Sequence, residues 1–208
     1  MRACYHSPTT ILAKPRTNAT PGRIRIIGGS LRGSKLEVPD APGLRPTPDR
    51  IRETLFNWLM PVIDGARCLD LFAGTGALGI EALSRGAAHV DFVETDVQLA
   101  RLLRDNLARL FRDDLARAKE LASVHQSAAS RFLESAGSEY DIVFLDPPFG
   151  EDVWDSAAAA LESHRRLAPG AWIYVESPAD RGISLPDNWI PHREGRAGAV
   201  RFALYRRD

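Results

Sequence analysis

From residue 66 onward the chain alternates short apolar runs with longer amphipathic stretches, and this alternation constrains the fold more than any other feature. Apolar strands separated by helices form a parallel sheet that is covered on both faces. The pattern predicts strands at Arg67–Leu71, Val90–Val93, Ala122–His125, Asp141–Leu145 and Trp172–Glu176, with helices at about 76–85, 97–112, 127–135 and 153–167. The runs Trp189–Arg193 and Val200–Tyr205 predict an antiparallel pair that closes the sheet. We therefore expect a Rossmann-like α/β fold with seven mostly parallel strands.

The first 46 residues are interpreted as an extension of this domain. Residues 1–22 are polar and predict a flexible basic tail. The β-rich runs Arg23–Ile27 and Lys35–Val38 predict a hairpin with a glycine-bearing tip, and a Pro/Gly connector completes the extension at residues 23–46. Residues 47–208 are expected to form the main domain, which starts with a helix from Asp49 to about Val62. Thr47 is expected to cap this helix, with Pro48 at its first position.

The formal net charge of zero conceals an uneven distribution of charge. The segment from Met1 to Arg52 holds ten Lys and Arg against three Asp and Glu, whereas the rest of the chain holds 17 against 24. A basic segment of this kind is a natural docking site for a polyanion, although a solvated tail is the alternative for the first 20 residues. The candidate contacts are Arg32 in the hairpin and Arg45, Arg50 and Arg52 around the helix start. Arg52 could instead be a structural ion-pair partner on its helix.

The composition, with 44% hydrophobic and 26% charged residues, is that of a globular protein. No apolar run is long enough to span a bilayer, and the N-terminus lacks the apolar core of a signal peptide. The two cysteines, Cys4 and Cys68, argue against a disulfide framework or a zinc site, and the five histidines lack metal-binding spacing. We therefore expect a cytoplasmic protein that uses no metal.

A glycine-rich loop, Asp70-Leu71-Phe72-Ala73-Gly74-Thr75-Gly76, follows the first strand of the predicted sheet. Residues 74–79 match G-x-G-x-x-G, and Glu94 lies about 20 residues further on, at the end of the next strand. Glycines allow the backbone to approach a ligand, and Glu94 could accept hydrogen bonds from ribose hydroxyls. The pattern fits a dinucleotide or S-adenosylmethionine. Asp70 favours the second, because a carboxylate repels a pyrophosphate but pairs with the methionyl ammonium; a role as a loop cap alone is the alternative.

A second loop, Asp146-Pro147-Pro148-Phe149, follows the fourth predicted strand. The prolines fix the backbone and remove two N–H donors, so the polar atoms left nearby are acceptors: the Asp146 carboxylate and the Pro147 carbonyl. Two acceptors aimed at one exocyclic amine would orient its lone pair toward an incoming methyl group, and Phe149 could stack on the base. A rigid turn beside a packed phenylalanine is the simpler interpretation. The position of this loop after the glycine loop of the same sheet favours methyl transfer to an amine.

The two loops resemble those of the amino-methyltransferases with the class I S-adenosylmethionine-dependent fold. More narrowly, the chain from about Arg23 to its C-terminus is similar to the bacterial 16S rRNA guanine-N2 methyltransferase family. The similarity rests on Arg25-Ile26-Ile27-Gly28-Gly29, Arg32-Gly33, residues 43–59 and Tyr174-Val175-Glu176. The resemblance implies a monomeric enzyme that uses S-adenosylmethionine to methylate one guanine of 16S rRNA, within the small ribosomal subunit or an assembly intermediate of it.

The motifs and the resemblance together predict the site residues. These are Asp146, Pro147 and Phe149 for catalysis, Asp70, Phe72, Gly74, Gly76, Glu94 and Ser127 for the cofactor, and Arg32, Arg45, Arg50 and Arg52 for the RNA. The target guanine would have to leave its stack to reach Phe149. One position departs from the family pattern, because Ala128 lies where many members carry an acidic or amide residue against the adenine. Gln126, Ser127 or a backbone group could make that contact instead.

Three other functions fit parts of the sequence. The literal G-x-G-x-x-G would suit an NAD-dependent oxidoreductase, although no proton-relay residue is evident and Asp70 disfavours a pyrophosphate. The basic N-terminal segment alone would suit an RNA-binding module without catalysis. An adenine-N6 or protein-glutamine methyltransferase carries a similar tetrad, but one that usually begins with Asn, so Asp146 favours guanine.

Overall fold

The computed structural model describes residues 22–38, 47–148, 150 and 152–208. The predictions for the tail before residue 22, for Arg45 and for Phe149 lie outside the described residues. Within the described ranges, no helix combines the length and the apolar character needed to cross a membrane.

The strands of the described residues are β1 (Gly22–Arg25), β2 (Lys35–Val38), β3 (Arg67–Asp70), β4 (His89–Glu94), β5 (Ala122–Gln126), β6 (Tyr140–Leu145), β7 (Leu167–Pro178), β8 (Trp189–Ala197) and β9 (Val200–Arg207). The last seven form one sheet in the order β5-β4-β3-β6-β7-β9-β8. Strands β3 to β7 are parallel, and β9 pairs antiparallel with both β7 and β8. This sheet confirms the predicted class I methyltransferase fold with its antiparallel C-terminal strands.

The helices are α1 (Asp49–Leu59), α2 (Ala77–Ser84), α3 (Val97–Leu110), α4 (Leu115–Leu121), α5 (Ala129–Glu134) and α6 (Trp154–Ser163). All but α4 correspond to predicted helices, each somewhat shorter than predicted. Sequence periodicity missed α4 because none of its seven residues is buried. Without a buried face, a helix leaves no apolar period to detect.

Two apolar layers cover the sheet, one on each face. Alternate residues of β6 belong to different layers: Ile142 and Phe144 to the first, Val143 and Leu145 to the second. The first layer includes buried residues of α1, α2 and α3, and the second includes buried residues of α5 and α6. This layering explains why the central strands are near-continuous apolar runs in the sequence.

The predicted hairpin, β1 with β2, packs against the main domain instead of projecting from it. Glu81 of α2 accepts hydrogen bonds from the backbone N–H groups of Ile27 and Gly28, both at 2.8 Å. Four apolar side chains of the hairpin are buried in the first layer: Ile24, Ile26, Leu36 and Val38. The hairpin therefore has a fixed position relative to the sheet.

Thr47 does not cap α1, so the capping prediction was wrong. The residue that precedes the helix is Pro48, at φ −55° and ψ 145°, and no side chain caps this end. The Pro48 carbonyl accepts hydrogen bonds from the N–H groups of Ile51 and Arg52. The Thr47 hydroxyl instead donates to Asp146, a residue 99 positions away that local sequence patterns cannot pair with it.

Candidate active site

The two predicted loops meet at one edge of the sheet. Asp70 is the last residue of β3 and pairs in register with Phe144 of β6, and Asp146 directly follows that strand. Strands β4 and β5 lie on one side of this pair, and β7, β9 and β8 lie on the other. Open α/β sheets bind ligands at such a switch point, outside the carboxyl ends of the strands. The glycine-rich loop that begins at Asp70, here called the cofactor loop, and the loop that begins at Asp146, the acceptor loop, are therefore neighbours at a natural ligand-binding position.

Asp70 is buried, with 2% of its surface exposed. Its Oδ2 accepts a hydrogen bond from the Gly79 N–H at 3.0 Å, so it anchors the first turn of α2 across the glycine-rich loop. Burial raises the pKa of Asp70 to about 7; the Gly79 hydrogen bond opposes this rise and the Glu94 carboxylate adds to it. A cation close to Asp70 would favour its ionised form. Anchoring α2 and pairing with an ammonium group are compatible roles, because a carboxylate has several acceptor positions.

The glycines of the motif serve the turn and the packing of α2. Gly76 lies at φ 77° directly before α2, a conformation that disfavours any residue with a side chain. Gly79 lies inside α2 against β4, where a Cβ would overlap the ring of Phe92. Neither role requires a pyrophosphate, so the literal motif does not by itself indicate a dinucleotide.

Glu94 ends β4 and holds the glycine loop by two backbone contacts. Its Oε2 accepts from the Gly74 N–H and its Oε1 from the Asp96 N–H, each at 2.7 Å. The residue is 9% exposed. Each carboxylate oxygen has a second lone pair, so Glu94 fits a role as acceptor for two ribose hydroxyls while it holds the loop.

The remaining cofactor candidates also lie at this sheet edge. Ser127 follows β5, and its N–H donates to the Glu94 carbonyl at 3.0 Å while its hydroxyl donates to the Ala128 carbonyl at 3.1 Å. Gln126 donates its side-chain amide to the Thr95 carbonyl at 3.0 Å. Phe72 is half-buried against the second apolar layer. Ser127 is thus fixed beside Glu94, which keeps it a candidate for the adenine contact.

Asp146 lies among acidic groups and one hydroxyl donor. Burial, the nearby Glu176 carboxylate and the Asp70 carboxylate raise the pKa of Asp146 well above its usual range, while a hydrogen bond from Thr47 opposes the rise. The Thr47 Oγ1 lies 3.2 Å from Asp146 Oδ2. Pro147 is buried and Pro148 is exposed. The loop therefore places one carboxyl group directly after β6, with a hydroxyl donor on one of its oxygens.

Two residues of β7 complete this acidic environment. Tyr174 donates its hydroxyl to Glu176 Oε2 at 2.8 Å, and Glu176 is 5% exposed. Burial, together with the Glu176 and Asp146 carboxylates, raises the pKa of Tyr174, so the phenol keeps its proton. Both residues belong to the Tyr174-Val175-Glu176 run that contributed to the family resemblance, but the sequence assigned them no role. The position of Glu176 near the end of the strand beside β6 was the available signal.

The predicted RNA contacts differ in their exposure. Arg32 at the hairpin tip and Arg50 on α1 are exposed, whereas Arg52 has no exposed surface. Arg52 donates to the Arg25 carbonyl at 2.9 Å and to the Asp49 carboxylate at 2.6 Å. A guanidinium buried in this way cannot reach an RNA phosphate. The structure therefore contradicts the RNA role predicted for Arg52 and supports its alternative role as an ion-pair partner.

Comparison with known proteins places the whole arrangement in a family. The family model described as Conserved hypothetical protein 95 matches residues 24–206, from β1 of the hairpin to β9. The chain belongs to this family. The matched range includes the hairpin as well as the sheet.

Relatives of this Conserved hypothetical protein 95 member confirm the resemblance drawn from its motifs. Ribosomal RNA small subunit methyltransferase D of Escherichia coli K12 is 49% identical over 198 residues, covering 95% of this chain and 96% of that protein. The protein of the same name from Haemophilus influenzae is 43% identical, covering 93% of this chain and 99% of its own length. The solved structure of Escherichia coli yhhF matches with a TM-score of 0.81 at 48% identity and covers 90% of this chain and 99% of that one.

Proposed function

We propose that this protein transfers a methyl group from S-adenosylmethionine to the exocyclic N2 of one guanine in 16S rRNA of the small ribosomal subunit. The observation that carries the proposal is the placement of buried Asp70 beside the Asp146-Pro147 loop at the switch point of the sheet. Relatives named ribosomal RNA small subunit methyltransferase D, which match along almost their full length, support the substrate class.

The cofactor would lie across the ends of β3 and β4. Asp70 would pair with the methionyl ammonium, and Glu94 would accept hydrogen bonds from the ribose hydroxyls through lone pairs that its backbone contacts leave available. Ser127, held beside Glu94, would contact the adenine. When bound, the cofactor supplies a methyl carbon that is activated by a sulfonium.

The acceptor amine would be held by the loop after β6. The Asp146 carboxylate and the Pro147 carbonyl would accept its two N–H groups and direct the nitrogen lone pair toward the methyl carbon. The nitrogen becomes acidic only as the new C–N bond forms, so Asp146 or water takes its proton at that stage. Most of the acceleration would come from the alignment of the two reactants.

The hairpin and the start of α1 would bind the RNA backbone. Arg32 and Arg50 are exposed on elements whose positions are fixed by packing, so their charges have a defined geometry. The guanine would be unstacked from its loop to enter the site, and Phe149 would stack on it. We also propose that the protein acts in the cytoplasm as a monomer that uses no metal.

The geometry of α2 argues against the oxidoreductase alternative. A pyrophosphate would bind the N–H groups at the start of this helix. The buried Asp70 carboxylate already accepts the Gly79 N–H there and would repel a phosphate. Methylation of adenine N6 or of a protein glutamine requires a similar set of acceptors, and the experiment that identifies the product decides among them.

The test is transfer of labelled methyl from S-adenosylmethionine to small subunits purified from a strain that lacks this modification, followed by nucleoside analysis. Free 16S rRNA is assayed in parallel to identify the preferred substrate. We expect labelled N2-methylguanosine. Recovery of N6-methyladenosine would overturn the guanine assignment, and absence of transfer together with tight binding of NAD would overturn the proposed reaction.

A further inference from the structure

Thr47 connects α1 to the acceptor loop through one side-chain hydrogen bond. Its hydroxyl lies 3.2 Å from Asp146 Oδ2, and the residue is 8% exposed. The hydroxyl is directed at the carboxylate of another element and makes no capping bond to its own helix. The Thr47 side chain therefore joins the start of α1 to the loop that follows β6.

The position of Thr47 is fixed by the packing of α1. Phe56 of α1 contacts Phe144 of β6 with ring centroids 5.9 Å apart, and Phe144 lies two residues before Asp146. The start of α1 is also held by Arg52, which donates to the Arg25 carbonyl of the hairpin. Thr47 and Asp146 therefore each lie within two residues of an element that packs in the first apolar layer.

The electrostatic surroundings of Asp146 give this hydrogen bond a specific effect. From β3 and β7, the carboxylates of Asp70 and Glu176 and the protonated hydroxyl of Tyr174 lie near Asp146, and the two carboxylates oppose its ionisation. A hydroxyl that donates to a carboxylate stabilises the ionised form. Thr47 acts in this direction against both carboxylates.

We propose that Thr47 is a positioning residue for methyl transfer, whose hydroxyl donates to one oxygen of Asp146 and leaves the other oxygen for the acceptor amine. This inference rests on the proposed function and adds a residue to it. It also links the hairpin and α1 physically to the reacting group, through Arg52 and the start of the helix.

The test compares wild type with Thr47→Val, which keeps the shape but removes the hydroxyl, and Thr47→Ser, which keeps the hydroxyl. Single-turnover methyl transfer to small subunits is measured from pH 5 to 9. In parallel, the Asp146 carboxyl is titrated by carbon-13 NMR in the free protein, with Asp146→Asn used to assign its resonance. S-adenosylmethionine affinity and thermal unfolding are measured for all variants.

Thr47→Val is expected to raise the pH midpoint of the Asp146 titration and of the acid limb of the rate profile by about one unit, and to lower the maximal rate about tenfold. Thr47→Ser should restore both to within about twofold of wild type, and all variants should bind the cofactor with similar affinity. Unchanged titration in Thr47→Val, or a defect shared equally by Thr47→Ser, would overturn the inference. If wild type transfers no methyl group, the proposed function fails, and the titration in the free protein still decides whether Thr47 controls Asp146.

Discussion

The guanidinium of Arg52 lies 3.7 Å from the carboxylate of Glu81, and both side chains are completely buried. Glu81 at the same time accepts the N–H groups of Ile27 and Gly28 and the Nε–H of Arg85, each at 2.8 Å. This pair therefore joins α1, α2 and the hairpin. It gives a basic residue near the helix start a structural function, although the sequence had grouped it with the RNA contacts.

Replacing Arg52 should destabilise the protein, because it leaves Glu81 with one charged partner fewer in a buried site. We expect Arg52→Met to lower the free energy of unfolding by about 3 kcal/mol. Arg50→Met, on the same helix but exposed, should change it by less than about 0.5 kcal/mol. Denaturant titration of the two variants measures the difference, and equal stability of both would contradict the structural role of Arg52.

Removing an exposed arginine of the hairpin should weaken RNA binding and leave the fold intact. Arg32→Gln is expected to raise KM for small subunits several-fold and to reduce the slope of log affinity against log salt by about one, as expected for the loss of one phosphate contact. Arg165→Gln is the matched control, because Arg165 is exposed and lies between α6 and β7, outside the hairpin and α1. An equal effect of both substitutions would indicate general electrostatic attraction without a defined contact by Arg32.

Neutralising Asp70 should stabilise the free protein and lower its affinity for the cofactor. The pKa of Asp70 rises from its ordinary value of 3.8 to about 7 in the folded protein. Between these values Asp70 ionises more readily in the unfolded chain, so the stability of the fold decreases as the pH rises through this range. Asp70→Asn removes that penalty and should gain on the order of 2 kcal/mol at pH 8 but little at pH 4. Denaturant unfolding at both pH values tests this, and a loss of stability at pH 8 would show that the Asp70 carboxylate supports the fold.

Binding of S-adenosylmethionine should depend on pH in a specific direction. Below pH 7 Asp70 is mostly protonated in the free protein, so pairing with an ammonium must release a proton; affinity should rise with pH up to about 7 and then level off. Calorimetry at pH 6 in buffers of different ionisation enthalpy should detect this proton release. The release should vanish in Asp70→Asn, and its persistence there would assign the proton to another group.

The sheet was predictable because parallel strands buried on both faces must be continuous apolar runs. The largest difference in length is at β7, which begins at Leu167 although Pro169 and Gly170 resemble a loop. Its first residues pair with β6 only through an irregularity between Tyr140 and Ile142. Irregular pairing of this kind has no alternating pattern and cannot be recognised from local sequence.

The site residues that belong to one loop or strand end were predictable from the sequence, whereas the contacts between distant segments were not. Asp70 and Glu94 end the neighbouring strands β3 and β4, and Asp146 follows β6 on the other side of β3, so topology alone brings them together. The bond from Thr47 to Asp146 and the burial of Arg52 depend on how α1 packs against β6 and α2. A threonine before a helix resembles a cap, and an arginine near a helix start resembles a surface residue, until that packing is known.

The proposed reaction depends on Asp146 as the hydrogen-bond acceptor for the amine that receives the methyl group. It is tested most directly by single-turnover methyl transfer to unmodified small subunits with wild type and Asp146→Ala, with S-adenosylmethionine affinity measured for both. We expect N2-methylguanosine from wild type, transfer by the variant that is at least about a hundredfold slower, and cofactor affinities that agree within a few-fold. Transfer by Asp146→Ala at the wild-type rate would contradict it.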